Sequence, residues 1–314
     1  MPAVSTQLLQ ELESRLPDIP EGVYQTFTHE TDFIDIAVQQ LDYIHCSTGT
    51  QSARIQVKEL HQSPYIRYPR PSYIRDTNPE LGDILYIVNY FESGQVVERR
   101  ASIAQAKFTK GSYDNRKDRV WKTQMHQFHL LDTLRNFRFD WKDADKRFTI
   151  TDKNKSLTTY IFASNFLPPF FQTVDRSKWY LYDKESDPTK YTLPRQEPWD
   201  VNKYTNQVLS LIRRQYGQAF EQGDTLHELI TYMFDHQRPK TFTSGRSSNS
   251  LVNQSGDPIP DGGETESASN PMKVVLIDVG LDTTSFDSDT PNDINEEELK
   301  GLYDLGRRQL RDIE

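Results

Sequence analysis

The chain has 314 residues and a single cysteine, Cys46, so no disulfide can form within it. No apolar run approaches the ~18 residues that a membrane-spanning helix needs. No apolar segment carries the flanks of a secretory signal. These absences predict a cytoplasmic protein with no membrane partner. A Gly-x-Ser-x-Gly elbow is also missing, and Cys46 has no evident partner, so a nucleophilic triad has no motif support. Apolar residues are scarce at 35%, with a mean hydropathy of −0.76, which leaves part of the chain outside any core. Aromatics are not scarce: 16 Phe, 16 Tyr and 4 Trp can bury a sizeable core. The expectation is an aromatic-rich body with polar appendages.

The net charge of −9 argues against nucleic-acid binding by bulk attraction. Its distribution is uneven. Between Val97 and Lys122 eight basic residues stand against three acidic ones. Lys110, Arg116, Lys117, Arg119 and Lys122 are therefore candidate nucleic-acid contacts. A solvated charged loop is the plain alternative.

Hydrophobic spacing predicts a helix over residues 5–16, capped by Ser5 or Thr6 and carrying Leu8, Leu9, Leu12 and Leu16. A second helix is predicted from Glu30 to His45, with Phe33, Ile36, Ala37, Leu41 and Ile44 on one face and Thr28 as its cap. Glu30 reads either as a favourable acid in the first turn or as a carboxylate aimed at a site. Ala53–Leu60 alternates as a strand. Four prolines exclude a helix from 61–79, where Tyr65, Arg67, Tyr68, Arg70, Tyr73 and Arg75 can stack on a nucleic acid or lie over the core.

A hairpin follows, with strands Ile84–Phe91 and Val96–Phe108. Gln105 and Lys107 share a face, because side chains alternate along a strand. Asp83 joins them only in one parity. A two-residue turn at Ser93-Gly94 pairs Asp83 with Ala104 and sends it to the wrong face. A three-residue turn at Glu92-Ser93-Gly94 pairs it with Ile103 and gathers all three. Gly94 suits the left-handed position of the three-residue turn, so that turn is the expectation, although a bulge elsewhere also changes the parity. Beyond Lys107, helices are predicted over Arg119–Phe137, Asp200–Phe220 and from Thr225, and strands over Phe148–Thr151, Thr158–Ser164, Trp179–Tyr182 and Lys273–Val279. The last reads as a buried strand rejoining the main sheet. His126 and His129 have zinc-compatible spacing but no third ligand nearby; Gln124 and Gln127 repeat the i, i+3 pattern. Residues 239–271 are rich in Ser, Gly, Asn, Asp and Pro and predict a disordered insertion.

Asp83, Gln105 and Lys107 carry a definite chemistry. Phosphodiester hydrolysis needs an oxygen-ligated divalent metal and a hydroxide held in line. Asp83 and the amide oxygen of Gln105 are candidate metal ligands for Mg²⁺ or Mn²⁺. Lys107 would orient the attacking water and offset charge on the phosphorane. The arrangement resembles the PD-(D/E)xK nuclease superfamily in its Gln-x-Lys variant, as in Mrr-like restriction endonucleases, here at Gln105-Ala106-Lys107. The resemblance spans about residues 28–165 and adds Glu30 as a fourth catalytic residue, with Glu80 as its substitute. It implies an α/β fold, a central mixed β-sheet flanked by helices (a restriction-endonuclease-like core), with C-terminal helical additions and the disordered insertion. It further implies a metal-dependent nuclease acting on DNA in a defence or restriction role. The alternatives are a catalytically inactive nuclease-like scaffold and a structural assembly protein. The domain expectation is a helix at 1–20, the α/β domain at 21–238, the insertion at 239–271, and a strand, acidic segment and final helix at 272–314. The last segment is a candidate surface for a homo-oligomer or partner protein. The loop at 61–79 makes the spacing before Asp83 unusual for the family.

Overall fold

The computed structural model describes residues 2–16, 19, 21–60, 64–69, 79–109, 121–123, 125–141, 144–165, 167–177, 181–183, 202–236, 240–241 and 271–283. The first elements are α1 (Thr6–Arg15), α2 (Glu21–Tyr24), α3 (Glu30–Gln39), β1 (His45–Thr48), β2 (Gln51–Glu59), β3 (Ile66–Arg67), β4 (Ile84–Glu92) and β5 (Gln95–Thr109). They are followed by β6 (Trp121–Thr123), α4 (Met125–Thr133), β7 (Arg138–Phe139), β8 (Thr158–Ser164), β9 (Phe170–Thr173), α5 (Val174–Ser177) and β10 (Leu181–Asp183). The last are β11 (Asn202–Lys203), α6 (Tyr204–Ile212), β12 (Gln218–Phe220), α7 (Thr225–His236), β13 (Lys240–Thr241) and β14 (Lys273–Gly280).

One mixed sheet organises these elements in the order β1-β2-β14-β4-β5-β8-β9-β11, with β12 beside β5 and β13 beside β2. β4 and β5 are antiparallel, β5 and β8 parallel, and β14 lies parallel to β4 and antiparallel to β2. The fold is therefore α/β, with β14, the last of the described strands, inserted in the middle of the sheet. Alternation along β4 builds both faces. Ile84, Tyr86, Val88 and Tyr90 meet Leu8, Leu12, Phe33, Ala37 and Val208 of α1, α3 and α6. Leu85 and Ile87 meet Leu130, Leu131, Leu229 and Met233 of α4 and α7. Each fully buried aliphatic side chain contributes about 1.5–3 kcal/mol of transfer free energy, so the two faces are the main force holding the layers. Among the described residues no helix is long and apolar enough to cross a membrane.

Helix α1 starts at its expected cap, with the Ser5 hydroxyl accepting from Leu8 N at 3.2 Å. Helix α3 is shorter than predicted, because Asp42 ends the turn after it by accepting from Val57 N at 2.9 Å and Tyr43 has a left-handed φ of 62°. Thr28 is not the N-cap; its hydroxyl donates to Asp32, which also accepts from His29 N. The predicted helix at 119–137 is confined to α4, since Trp121–Thr123 form a strand parallel to β10. Trp121 is buried against Phe162 and donates to Ala163 O at 2.7 Å, a tertiary contact that overrides the helical spacing. The predicted helix at 200–220 stops at Ile212. The Tyr90 hydroxyl donates to Leu211 O at 2.8 Å, Arg214 takes a φ of 61°, and the chain then pairs with β5 as β12. Phe148 makes one β-bridge to Phe137 rather than a strand. β8 matches its predicted span, and β14 rejoins the main sheet as expected. Residues 242–270 and the expected final helix lie outside the described residues.

At the far end of the Leu85–Ile87 face, one transverse row crosses four strands. Asp278 on β14 stands between Arg54 on β2 and Asn89 on β4, and Asn89 faces Arg99 on β5. The Asp278 carboxylate accepts from Arg54 Nη2 at 3.0 Å and from Asn89 Nδ2 at 2.9 Å.

Candidate active site

The hairpin reaches the required register by a route different from the expected one. Its turn has two residues, since Glu92 pairs with Gln95, and both Ser93 (φ 52°) and Gly94 (φ 74°) are left-handed. That pair of conformations matches the twist of the flanking strands. A bulge then shifts the ladder between Tyr90 and Phe91, so Tyr90 faces Glu98 while Phe91 faces Val96. The register continues to Ile84 opposite Ala104, which sets Asp83 opposite Gln105. The three-residue turn is thus replaced by a two-residue turn plus a bulge, and the parity comes out the same.

Asp83 is held from both sides. Its N–H donates to Ala104 O at 2.9 Å, and its carbonyl accepts from Lys273 N of β14 at 2.8 Å. Gly82 lets the chain arrive there, because a Cβ at that position would stand 2.7 Å from Ile103 Cγ2 and 3.0 Å from the Ala104 carbonyl. The preceding residues are fixed by an antiparallel bridge between Tyr65 and Glu80.

Four side chains named from the sequence come together where β4 begins and β5 nears its end. The Asp83 carboxylate accepts from Ala106 N at 2.6 Å and from the Gln105 amide. Gln105 Nε2 also lies 3.5 Å from Glu30 Oε1. Lys107 Nζ sits 3.4 and 3.3 Å from the two Glu30 oxygens. Glu30 opens α3, which packs on one face of the sheet, yet its side chain reaches round the sheet end to residues on the other face. Glu80 stays outside this ring; it acts on the Tyr65 phenol and, by charge, on Asp83.

Burial pushes the Asp83 carboxyl well above the ordinary carboxylate range. The negative charges of Glu30 and Glu80 push the same way, while Lys107 and the Ala106 N–H oppose them. Asp83 is therefore a buried acid whose neighbours do not fully compensate its charge. Strongly perturbed groups of this kind mark functional sites.

Gln127 completes the ring. Its Nε2 donates to the Gln105 amide oxygen from α4. The sequence shows Gln127 only as one of two glutamines at i, i+3, and their place on the helix after the lysine strand was the available signal. Both glutamines present amides, so the Gln105–Gln127 pair can reverse together. Gln105 would then turn its oxygen toward Asp83 and Glu30, and its Nε2 toward Gln127. The resulting set of two carboxylates and an amide oxygen is all-oxygen and fits a hard divalent cation. Its excess negative charge fits the same conclusion. Among the described residues no three His, Cys, Asp or Glu side chains converge, so the amide is needed to complete such a set. The His126–His129 pair gains no third ligand there, and the His129 ring stacks on Tyr68 at 5.7 Å.

The basic candidates Lys110, Arg116, Lys117 and Arg119 lie outside the described residues, as does the side chain of Lys122. Arg70, Tyr73 and Arg75 also lie outside them. Comparison with protein-family models, curated proteins and solved structures finds no match to this chain.

Proposed function

We propose that this chain is a metal-dependent nuclease that hydrolyses DNA phosphodiester bonds, built on a restriction-endonuclease-like core of the PD-(D/E)xK type. The observation that carries the reading is the convergence of Glu30, Asp83, Gln105 and Lys107, contributed by three separate elements, around one buried carboxyl. The element order supports it. α3, β2, β4, β5, α4 and β8 follow the helix, three strands, helix and strand of that superfamily, with α4 in the crossover between parallel β5 and β8. The departure is β14, which separates β2 from the Asp83 strand.

Asp83, Glu30 and Gln105 would hold Mg²⁺ or Mn²⁺. Such an ion supplies Lewis-acid polarisation of the phosphate and a bound water of lowered pKa. The protein's own groups do the remaining work. The Ala106 N–H fixes the Asp83 carboxylate, and Gln127 fixes the Gln105 amide. Lys107, at 12% side-chain exposure, is a nearly desolvated cation beside Glu30. Its charge is placed to orient the attacking water and to stabilise the phosphorane, where a low local dielectric strengthens it. DNA fits the chain's overall acidity only through a local concentration of basic residues, for which Lys110, Arg116, Lys117, Arg119 and Lys122 are the candidates in sequence.

A nuclease-like scaffold without activity is the competing reading. It is favoured by the Gln105 amide, which presents Nε2 rather than oxygen to both acids. Plasmid cleavage with Mg²⁺ or Mn²⁺ separates the two. The nuclease reading expects nicking or linearisation by the wild type, reduced at least ~10²-fold in Asp83→Ala and Lys107→Ala. Absence of cleavage of DNA and RNA by the wild type, with both variants identical to it, supports the scaffold.

A further inference from the structure

β14 brings a second lysine to the end of the sheet that holds the site, and the proposed chemistry has not used it. Lys273 opens that strand, opposite Glu59 on β2 and Ile84 on β4. The backbone here is fastened on both sides. Met272 O accepts from Leu60 N at 2.9 Å, and Lys273 N donates to Asp83 O at 2.8 Å. In the ladder the Lys273 side chain shares the face of Ile84 and Val275, on which α3 packs.

Lys273 is 6% exposed. Lysine is almost never buried to that degree without a partner, and its ammonium has two acids to pair with. Nζ stands 2.9 Å from Asp35 Oδ1 on α3 and bonds the Glu59 carboxylate. Lys107 meets the same helix from round the sheet end, at Glu30. Glu30 and Asp35 are five residues apart, or about 7.5 Å along the helix axis. A single tether lets a helix pivot and roll. Two tethers at different heights, from two strands, fix its height and its rotation, and so fix where Glu30 stands relative to Asp83. Such a link does little for stability. Asp35 is 56% exposed, so solvent weakens that pair, and replacing a buried ion pair by apolar side chains is often neutral or stabilising. What such a pair supplies best is a unique arrangement of the elements it joins.

We infer that Lys273 is a positioning residue of the candidate site: through Asp35 it sets the place of α3, and thereby of Glu30, against the Asp83 end of β4. This inference rests on the metal-site reading above. It adds that the site is assembled by β14 as well as by α3 and the β4–β5 hairpin, so a side chain far beyond the hairpin in sequence governs cation binding.

Mn²⁺ titration by calorimetry, with amide hydrogen exchange of the metal-free protein, tests it in Lys273→Met, Asp35→Asn and Glu59→Gln. The direction of the change in Lys273→Met is diagnostic. Loss of a positive charge beside a cation site tightens binding if it acts by charge alone. Misplacement of Glu30 weakens it, and the expected result is about a 10-fold loss of affinity. Amides of α3 should exchange about 10-fold faster in that variant, with those of α1, which packs on the same face, unchanged. Asp35→Asn and Glu59→Gln remove the same charge, but only the first cuts the link to α3, so its loss of affinity should be about 3-fold the larger. Unchanged or tighter binding in Lys273→Met overturns the inference, whatever the exchange shows. Equal losses in Asp35→Asn and Glu59→Gln, or equal acceleration of α1 and α3, also overturn it and leave the metal site standing. If the wild type itself binds no Mn²⁺, the metal-site reading fails. Faster exchange confined to α3 then keeps Lys273 as the tether of that helix, and uniform exchange removes that role as well.

Discussion

The face of the sheet that carries Leu85 and Ile87 holds a buried aspartate at each end, and the two are treated in opposite ways. Asp278 is fully matched. Arg54 gives it an ion pair at 3.0 Å and Asn89 a hydrogen bond at 2.9 Å, all within one transverse row of the sheet. Asp83 is not matched. Its partners are a backbone N–H and an amide, a second carboxylate stands close by, and the nearest ammonium bonds Glu30 instead. A fold that can neutralise one buried carboxylate and leaves the other under-compensated is storing electrostatic cost at one place. Such cost persists where a ligand is meant to relieve it. Asp278 reads as architecture that ties β14 between β2 and β4, and Asp83 as the acid that the proposed cation site would relieve.

The contrast is broken most sharply by activity. Asp83→Asn should lower cleavage by about 10³-fold or more. Asp278→Asn should leave turnover per folded molecule unchanged. Equal losses in both would mean that Asp83 acts only through the fold.

Stability should move the other way. Asp278→Ala leaves Asn89 and Arg54 without their shared acceptor. With Arg54 still 29% exposed, solvent softens the loss to about 2 kcal/mol, a fall of several degrees in Tm. Asp83→Asn removes a buried acid held beside another acid, and should raise metal-free stability at neutral pH by about 1 kcal/mol. Thermal denaturation of the two variants without divalent ions measures both.

The pH dependence sharpens the same point. Asp83 has a folded pKa raised above its unfolded value of about 3.9, so the folded state binds more protons between those two values. The stability it contributes is full below the unfolded value and is lost as pH rises through the raised folded value. Denaturant titrations from acid toward neutral pH should therefore show this decline in the wild type. The difference between wild type and Asp83→Asn should grow with pH in the variant's favour. A difference that stays flat would contradict the assigned cause.

The smallest effect belongs to the amide pair. Gln127→Met removes the donor to Gln105 and should cost about 1 kcal/mol of metal-free stability. Cation affinity should fall by about 10-fold, as expected for a group that orients a ligand.

Much of this arrangement was readable in advance, for identifiable reasons. Alternation placed Gln105 and Lys107 on one face, and the parity argument then required Asp83 to be out of simple hairpin register. The bulge between Tyr90 and Phe91 that satisfies it has no clear local signature, since Gly94 serves a two-residue turn as well as a three-residue one. Leucine spacing and Ser5 fixed α1, and the β-branched run at 273–279 fixed β14. The position of β14 in mid-sheet, and its bond to the Asp83 carbonyl, depends on pairing across almost 190 residues, as in Lys273 to Ile84. Local pattern cannot see that. Trp121 shows the converse failure: helical spacing placed it in α4, and its burial against Phe162 and Phe170 made it a strand. Glu30 was legible only as one of two readings, because nothing in the sequence tells that a helix N-terminus on one layer will meet side chains of the other.

Calorimetric titration with Mn²⁺ at mildly acidic pH, in two buffers of different ionisation enthalpy, tests the central claim most directly. If Asp83 is the under-compensated acid of a cation site, the wild type binds the ion and releases a proton, since the ligand carboxyl must deprotonate. Asp278→Asn does the same, and Asp83→Asn loses both binding and release. Binding that is absent from the wild type, or that survives unchanged in Asp83→Asn, would contradict the account.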